Sequence, residues 1–385
     1  MPRKTITVAM NGVTGRMGYR QHLIRSLLAI REEGGLELDD GTAIWPDVVL
    51  VGRNAERLAA MAATHGIDRW TTDLDEVLSD DKVDVYFDAQ LTTVREKSLQ
   101  KAIAAGKHVY TEKPVADSLQ GALDLARAAR AAGIVHGVVQ DKLFLPGMIK
   151  LRRLVDAGFF GRILAVRLEF GYWVFDGEGV AAQRPSWNYR KEDGGGIVLD
   201  MFPHWQYLLE DLFGPITSIY ARQTTHIPER WDESGRPYKV TADDACYALV
   251  EFADGVVASV NSSWAVRVNR RELLEVQVDG IEGSAVAGLR NCAVQQRADT
   301  PMPIWNPDLP DPLDYPSQWH DVPEDSTFDN GFKAQWEEFL RHVVSGEPFR
   351  WDLFEGARGV LLAELAQASS DAGVRVDVPP VGRFR

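Results

Sequence analysis

Residues 1–140 alternate short apolar runs with helix-like stretches, and this alternation constrains the fold more than any other feature. Ile6-Thr7-Val8-Ala9-Met10 leads through a glycine turn into a helical segment, Tyr19 to Arg31. Val48 to Val51 is a second strand with Glu56 to His65 as its helix; Asp84 to Phe87, Arg95 to Ala105 and His108 to Tyr110 repeat the pattern. Leu119 to Ala132 is amphipathic and stops at Gly133, and Val135 to Val139 closes the series. Such β-α units imply a parallel sheet with helices on both faces. The expected fold class is α/β, with an N-terminal Rossmann-type doubly wound parallel sheet over residues 1–142.

Beyond Leu143 the pattern changes. Ile149 to Asp156 is helical, and strand candidates then cluster at Ile163–Phe170, Ile216–Arg222, Ala245–Phe252, Val256–Val260 and Leu273–Val278. Asp254-Gly255 fits a hairpin turn between two of them. This predicts a second domain, residues 143–385, of α+β type with a mostly antiparallel open sheet. Residues 299–327 carry seven prolines and read as a long surface excursion, before closing helices at Phe332–Val344 and Glu355–Ala372.

The chain has 385 residues and a net charge of −14, which argues against a nucleic-acid partner and requires local cations to hold any anionic cofactor. Cys246 and Cys292 form no CxxC pair, which fits a reducing compartment. Met1-Pro2-Arg3-Lys4 runs directly into an apolar strand without a signal-peptide core, and no apolar run is long enough to span a bilayer. A cytoplasmic enzyme or binding protein is expected. The histidines are scattered, so no metal site is expected.

Gly12-Val13-Thr14-Gly15-Arg16-Met17-Gly18 lies between the first strand and the first helix. Glycines there let backbone N–H groups approach a pyrophosphate at a helix N-terminus, so a dinucleotide is expected against Gly12, Gly15, Arg16, Met17 and Gly18. The spacing is GxxGxxG, with Val13 where the stricter motif has glycine. The second strand ends Val51-Gly52-Arg53-Asn54, without the acidic residue that reads an NAD ribose. Arg53 could meet a 2′-phosphate, or simply stack on adenine or pair with Glu56. The cofactor is thus NAD or NADP, with NADP slightly favoured, and Arg53 and Asn54 are candidate contacts.

Two further clusters carry chemistry. Ala105-Gly106-Lys107-His108-Val109-Tyr110-Thr111-Glu112-Lys113-Pro114 runs to the end of a parallel strand, where open α/β sheets bind ligands. Pro114 biases Lys113 towards an extended backbone, aiming an ammonium at the cleft where it can stabilise a developing alkoxide. The second cluster is Gly194-Gly195-Gly196-Ile197-Val198-Leu199-Asp200-Met201-Phe202-Pro203-His204. Asp200 and His204 are i, i+4 and share one helical face. Proline fits a first helical turn, which places Asp200 near the N-cap and His204 just inside, where the positive helix end keeps the imidazole neutral. Taken singly, these residues also fit a helix cap, a packed histidine and a solvated lysine.

Together with the glycine turn, these clusters resemble the Gfo/Idh/MocA oxidoreductases (glucose–fructose oxidoreductase, inositol dehydrogenase and relatives). The resemblance covers almost the whole chain, including Ala157-Gly158-Phe159-Phe160-Gly161-Arg162-Ile163 and Glu355-Gly356. It implies a nicotinamide-dependent dehydrogenase acting on a secondary hydroxyl of a sugar or cyclic polyol. In that reading His204 is the general acid/base, Lys113 its electrostatic partner and Asp200 an orienter of substrate or histidine, with Gln90, Glu112 and Lys113 beside the cofactor. It also implies a homodimer or homotetramer paired through exposed sheets. Some relatives instead hydrolyse glycosides by transient oxidation, elimination, hydration and re-reduction on a held NAD. Others are non-catalytic sugar sensors, against which the intact Lys113, Asp200 and His204 argue.

The sequence departs from the family pattern in four places. Tyr207 stands where an acidic residue is usual three positions after the histidine. Gln90-Leu91-Thr92-Thr93-Val94-Arg95 replaces a loop with prolines and a histidine, and Gln140-Asp141-Lys142 replaces an Asn-Arg-type opening. The segment Glu32 to Pro46 is longer than expected. For the substrate, Lys142, Trp173, Trp187 and Arg190 are the candidate contacts, with Tyr172, Phe175 and Tyr189 nearby; flat rings suit sugar faces but sheet cores use them equally. Arg184, Arg190 and Lys191 could read an anionic group on a glycoside, or pair locally with Glu192 and Asp193.

Overall fold

A computed structural model describes residues 2–302, 306–310, 313–325 and 330–380. The first sheet holds β1 (Arg3–Asn11), β2 (Leu36–Glu37), β3 (Ala43–Val51), β4 (Arg69–Thr71), β5 (Val85–Asp88), β6 (His108–Thr111) and β7 (His136–Val138). Its order is β2-β3-β1-β5-β6-β7, with β4 also pairing β3. Between the strands run α1 (Met17–Leu28, wound as a π-helix and continued by Ala29–Glu32), α2 (Ala55–His65), α3 (Leu74–Ser79), α4 (Thr92–Ala104) and α5 (Leu119–Ala131). Side chains of β1 alternate between two cores. Val8 and Met10 join Leu23, Leu50 and Phe87 on one face, whereas Ala9 joins Tyr86, Leu99 and Val109 on the other. Burial on both faces is what the parallel β-α repeat requires.

The sheet is not wholly parallel. β2 pairs antiparallel with the start of β3, and β4 pairs parallel with its end. The long Glu32–Pro46 segment supplies this extra strand, through a tight turn in which Asp40 Oδ1 accepts from Thr42 N at 2.8 Å. A hairpin connection of this kind can only return antiparallel.

The second sheet contains β8 (Ile163–Phe170), β9 (Ile216–Thr224), β12 (Ala245–Phe252), β13 (Val257–Ser263), β14 (Leu274–Gly280), β15 (Gly283–Ala287), β16 (Cys292–Gln296), β17 (His320–Asp321) and β18 (Val376–Asp377); β10 (Glu229–Trp231) and β11 (Pro237–Lys239) form a separate ribbon. The order is β17-β16-β15-β14-β8-β13-β12-β9-β18. Every pairing is antiparallel except β8 with β13. Asp254-Gly255 does turn β12 into β13, with Gly255 at φ 86°. The excursion expected over 299–327 lies partly outside the described residues; the described part includes β17.

Helices α6 (Pro146–Asp156), α7 (Ile197–Phe213), α8 (Gly331–Ser345) and α9 (Leu353–Ala372) complete the chain. α7 buries Trp205, Leu208 and Leu209 against one face of the second sheet. The other face exposes Tyr220, Tyr247, Leu249 and Val257. Residues 143–385 do not pack as one unit, because α8 returns to the first sheet. There Trp336, Phe339 and Leu340 are fully buried, and Phe339 stacks on Tyr110 with ring centroids 4.5 Å apart. α9 straddles both cores: Leu353, Phe354 and Ala357 join the first, Leu362, Ala363 and Ala366 the second. Its Gly359 sits so close to α7 that an added Cβ would lie 2.9 Å from the Pro203 Cβ. This contact carries α7 up against the carboxyl ends of the parallel strands.

Candidate active site

The glycine turn closes over the β1/β5 crossover of the first sheet, the crevice where doubly wound sheets bind ligands. Gly12 adopts φ +79°, and a Cβ there would lie 2.6 Å from the Ala89 carbonyl carbon, so no other residue lets the two strand ends meet. Gly15 N donates to the Gly12 carbonyl at 3.0 Å, tightening the turn. Arg16 begins α1 without a side-chain cap, whereas Asn54 caps α2 through Oδ1, accepting from Arg57 N at 2.9 Å. The uncapped amides of α1 fit the pyrophosphate of a dinucleotide. Met17 is half-buried beside Arg16. Arg53 projects exposed at the end of β3, while the capping bond accounts for the Asn54 side chain. Gln90 Oε1 accepts from Ser98 Oγ at 2.8 Å.

A buried polar chain links this crevice to the Glu-Lys-Pro turn. Asn11 Nδ2 donates to Tyr86 Oη (2.9 Å), which donates to Asp88 Oδ2 (2.7 Å), and Arg95 donates from Nε to Asp88 Oδ1 and from its fork to the carbonyls of Gln90 and Pro114. Burial raises the Asp88 pKa, with Arg95 opposing. Arg95 was legible only as part of an unusual loop. Glu112 Oε1 meets His22 Nε2 at 2.8 Å, and Trp336 Nε1 donates to His22 Nδ1 at 3.0 Å. Since Nδ1 accepts, His22 carries its proton on Nε2 and donates it to Glu112. Burial raises the Glu112 pKa, but His22 and Lys113 outweigh it and hold the carboxyl low. Glu112 Oε2 in turn accepts from Lys113 N at 3.1 Å, and the Lys113–Pro114 peptide is cis.

Lys113 reaches across to α7. Its Nζ donates to Asp200 Oδ1 at 2.6 Å and to the Asp200 carbonyl at 2.9 Å. The second carboxylate oxygen, Asp200 Oδ2, accepts from Arg184 at 2.7 Å, and the Arg184 guanidinium lies 4.4 Å over the Trp264 ring. Burial raises the Asp200 pKa, yet Lys113 and Arg184 together hold it well below the ordinary carboxylate range. Both carboxylate oxygens of Asp200 are thus engaged by Lys113 and Arg184.

The helix also starts earlier than the proline implied. Gly196, at φ +121°, is the N-cap, Asp200 N bonds the Gly196 carbonyl at 3.1 Å, and Pro203 lies inside the helix. Asp243 supplies the cap, accepting from Ile197 N at 3.0 Å and from Val198 N at 2.8 Å. A Cβ on Gly196 would lie 2.5 Å from Asp243 Oδ1, and one on Gly195 would lie 2.5 Å from the Trp187 and Asn188 carbonyls. Those two glycines answer to internal packing.

His204 is buried, and burial lowers its pKa well below the ordinary value, with Lys113, Lys142 and Arg184 adding to the effect. The helix terminus, two turns away, is not the cause. His204 Nδ1 lies 2.7 Å from Tyr207 Oη. Tyr207 Oη accepts from Lys142 N at 3.1 Å and reaches Asp141 Oδ1 at 3.5 Å. Lys142 Nζ pairs with Asp141 Oδ2 at 2.7 Å. A small cavity between Lys113 and Tyr207 is bordered by Gln140, Pro203 and Glu355.

The substrate candidates are less concentrated. Trp173 is exposed and Trp187 half-buried. Arg190 lies 4.5 Å over the Tyr238 ring with Asp193 at 3.8 Å, away from the Lys113–Asp200–Arg184 cluster in its contacts. Arg184, for which the sequence offers either an anionic sugar or local pairing with Glu192 and Asp193, pairs instead with Asp200 in that cluster.

Residues 6–139 match the oxidoreductase family with an NAD-binding Rossmann fold, and residues 148–286 match the GFO/IDH/MocA C-terminal domain. The chain belongs to the Gfo/Idh/MocA family and is an NAD(P)-dependent oxidoreductase. It is 57% identical over 380 residues to a D-xylose dehydrogenase of Paenarthrobacter nicotinovorans, covering 98% of each chain. A levoglucosan dehydrogenase of Pseudarthrobacter phenanthrenivorans is 26% identical over 252 residues, 62% of this chain and 64% of the relative. A solved levoglucosan dehydrogenase in complex with NADH and L-sorbose superposes with a TM-score of 0.80 at 22% identity, covering 98% of this chain and 100% of that one, a likeness of fold.

Proposed function

We propose that the protein oxidises an aldopyranose of the D-xylose type at one hydroxyl, with an NAD(P) cofactor bound over the glycine turn. The observation that carries this reading is full-length identity of 57% to a D-xylose dehydrogenase, joined to the Lys113–Asp200 and His204 arrangement. When bound, the nicotinamide supplies a hydride acceptor at its C4. His204, held neutral, removes the hydroxyl proton as the carbon–hydrogen bond yields its electron pair and the C–O bond becomes a carbonyl. Lys113 has three donors, two of them spent on Asp200, and the third is left for the substrate oxygen. Glu112 fixes the Lys113 backbone, and Gly12, Gly15, Arg16, Met17, Gly18, Arg53 and Gln90 form the cofactor contacts. Exposed Arg53, with no acidic neighbour at the strand end, supports acceptance of NADP.

Trp173, Trp187 and Lys142 are the sugar contacts in this reading, whereas Arg190 is engaged by Tyr238 and Asp193. The nucleotide unit comprises residues 2–142 with α8 and the first half of α9. The open face bearing Tyr220, Tyr247 and Leu249 is proposed to pair subunits into a homodimer or homotetramer. No helix among the described residues is long and apolar enough to cross a membrane. Two buried free cysteines support a cytoplasmic setting.

The test is incubation with NAD or NADP and a panel of pentoses, hexoses, polyols and aryl glycosides, following reduced cofactor and aglycone together. Stoichiometric reduction with D-xylose is expected. Aglycone release without net reduction would replace this reading with the transient-redox glycosidase. Lys113→Ala should abolish turnover while cofactor still binds, by fluorescence titration.

A further inference from the structure

Tyr207 stands three residues after His204 on α7. We infer that Tyr207 is a positioning residue, which holds His204 as the Nδ1–H tautomer and hands the acceptor role to Asp141 on a different segment. A phenol has one proton and two lone pairs. Here one lone pair is taken by Lys142 N–H at 3.1 Å. Asp141, paired with Lys142 Nζ, is a carboxylate and can only accept, so the phenol proton goes to Asp141 Oδ1 at 3.5 Å. The remaining lone pair faces His204 Nδ1 at 2.7 Å, and with Asp141 Oδ1 itself 3.8 Å from that nitrogen, the arrangement favours a proton on Nδ1. Nε2 is left with its lone pair, which is what proton abstraction from the sugar requires.

The surroundings explain why such a device is needed. His204 faces Lys113 from the end of β6, Arg184 from the loop before α7, and Lys142 from the segment after β7. Asp200, on its own helix, is spent on Lys113 and Arg184. Glu112 acts on the Tyr207 phenol, and Glu355 borders the same cavity as Tyr207. The cations oppose an imidazolium. The Tyr207–Asp141 pair is the acidic counterweight at Nδ1, and it strengthens as His204 becomes charged.

The inference rests on the dehydrogenase reading only for its kinetic arm. Histidine-selective 15N labelling of the intact protein, at about pH 8 where ordinary histidines are neutral, reports the tautomer directly. The His204 signals are assigned by their loss in His204→Gln. Wild type should show Nδ1–H with a bare Nε2, and Tyr207→Phe should lose that preference. With D-xylose and cofactor, Tyr207→Phe and Asp141→Asn should each lower kcat at least about tenfold with KM changed less than about threefold. The acid limb of the kcat/KM profile should also move to lower pH. A wild-type Nε2–H tautomer, or Tyr207→Phe with wild-type kcat and pH profile, overturns the assignment. If Tyr207→Phe does not fold, Asp141→Asn with the phenol intact decides it by the same readouts. A correct tautomer in an enzyme that oxidises no sugar would refute the dehydrogenase reading and leave the tautomer assignment standing.

Discussion

Asp200→Asn removes one charge from a nearly isosteric side chain and tests the coupling between the two sheets. In the wild type, one carboxylate joins Lys113, from the end of β6, to Arg184, with side chains 18%, 15% and 22% exposed for Asp200, Lys113 and Arg184. Removing one partner from a buried pair costs about 3–5 kcal/mol, because the remaining charge stays desolvated. The amide keeps one acceptor for one of the two cations, which places the expected loss near about 3 kcal/mol. With an unfolding entropy of about 2.1 cal/mol/K per residue, a chain of 385 residues loses roughly 1 °C per kcal/mol, a fall in the thermal midpoint of about 3–4 °C.

The sign of the pH dependence follows from the depressed pKa of Asp200. Its stabilisation is complete above the ordinary aspartate value of about 3.9 and fades only as pH drops through the lower folded value. Thermal midpoints of wild type and variant, taken from about pH 5 to about pH 8, should therefore differ by a constant gap. That gap should narrow only in stronger acid. A variant within about 1 kcal/mol of wild type, in the range of an exposed pair, would refute the bridging role. So would a gap that widened on acidification.

Trp336→Ala should destabilise the protein by about 3–5 kcal/mol in denaturant unfolding, since the ring is fully buried against Phe87 and Tyr110 and bonds His22; a loss near zero would detach α8 from the first core. His204 stays neutral when buried, whereas unfolded histidine takes a proton below about pH 6.5, so stability should fall as pH drops through that value. His204→Gln should reduce this slope without abolishing it, because burial also lowers the pKa of His108 and His136. Arg53→Ala should raise the KM for NADP roughly tenfold with little change for NAD, measured by initial rates; equal effects on both would remove Arg53 from 2′-phosphate recognition.

The strand–helix rhythm of the first sheet was legible because strands buried on both faces must be continuously apolar, and the spacing between them leaves room only for crossover helices. Ile163–Phe170 and the hairpin at Asp254-Gly255 were legible from alternation and turn chemistry. The return of α8 was not, since an amphipathic helix does not encode which apolar surface it covers. At the site, Lys113, Asp200 and His204 stood out by motif, but their partners did not. Asp200 bonds Lys113 across 87 residues and Tyr207 reaches Asp141 across 66, contacts that no local spacing announces. Pro203 misplaced the helix start because first turns tolerate proline best, whereas here Asp243, from outside the helix, caps its N-terminus. For Arg184 the sequence offered substrate or the neighbouring Glu192 and Asp193, whereas its partner, Asp200, lies 16 residues away on another element.

In the proposed reaction, hydride leaves a sugar carbon for the cofactor while His204 and Lys113 manage the proton and the developing charge. Its most direct test is D-xylose deuterated at every carbon, incubated with the wild-type protein and oxidised cofactor, followed by mass spectrometry of the reduced nicotinamide. Reduced cofactor heavier by a single deuterium should form in step with oxidised sugar. Unlabelled reduced cofactor, or sugar consumed without any label reaching the nicotinamide, would contradict it.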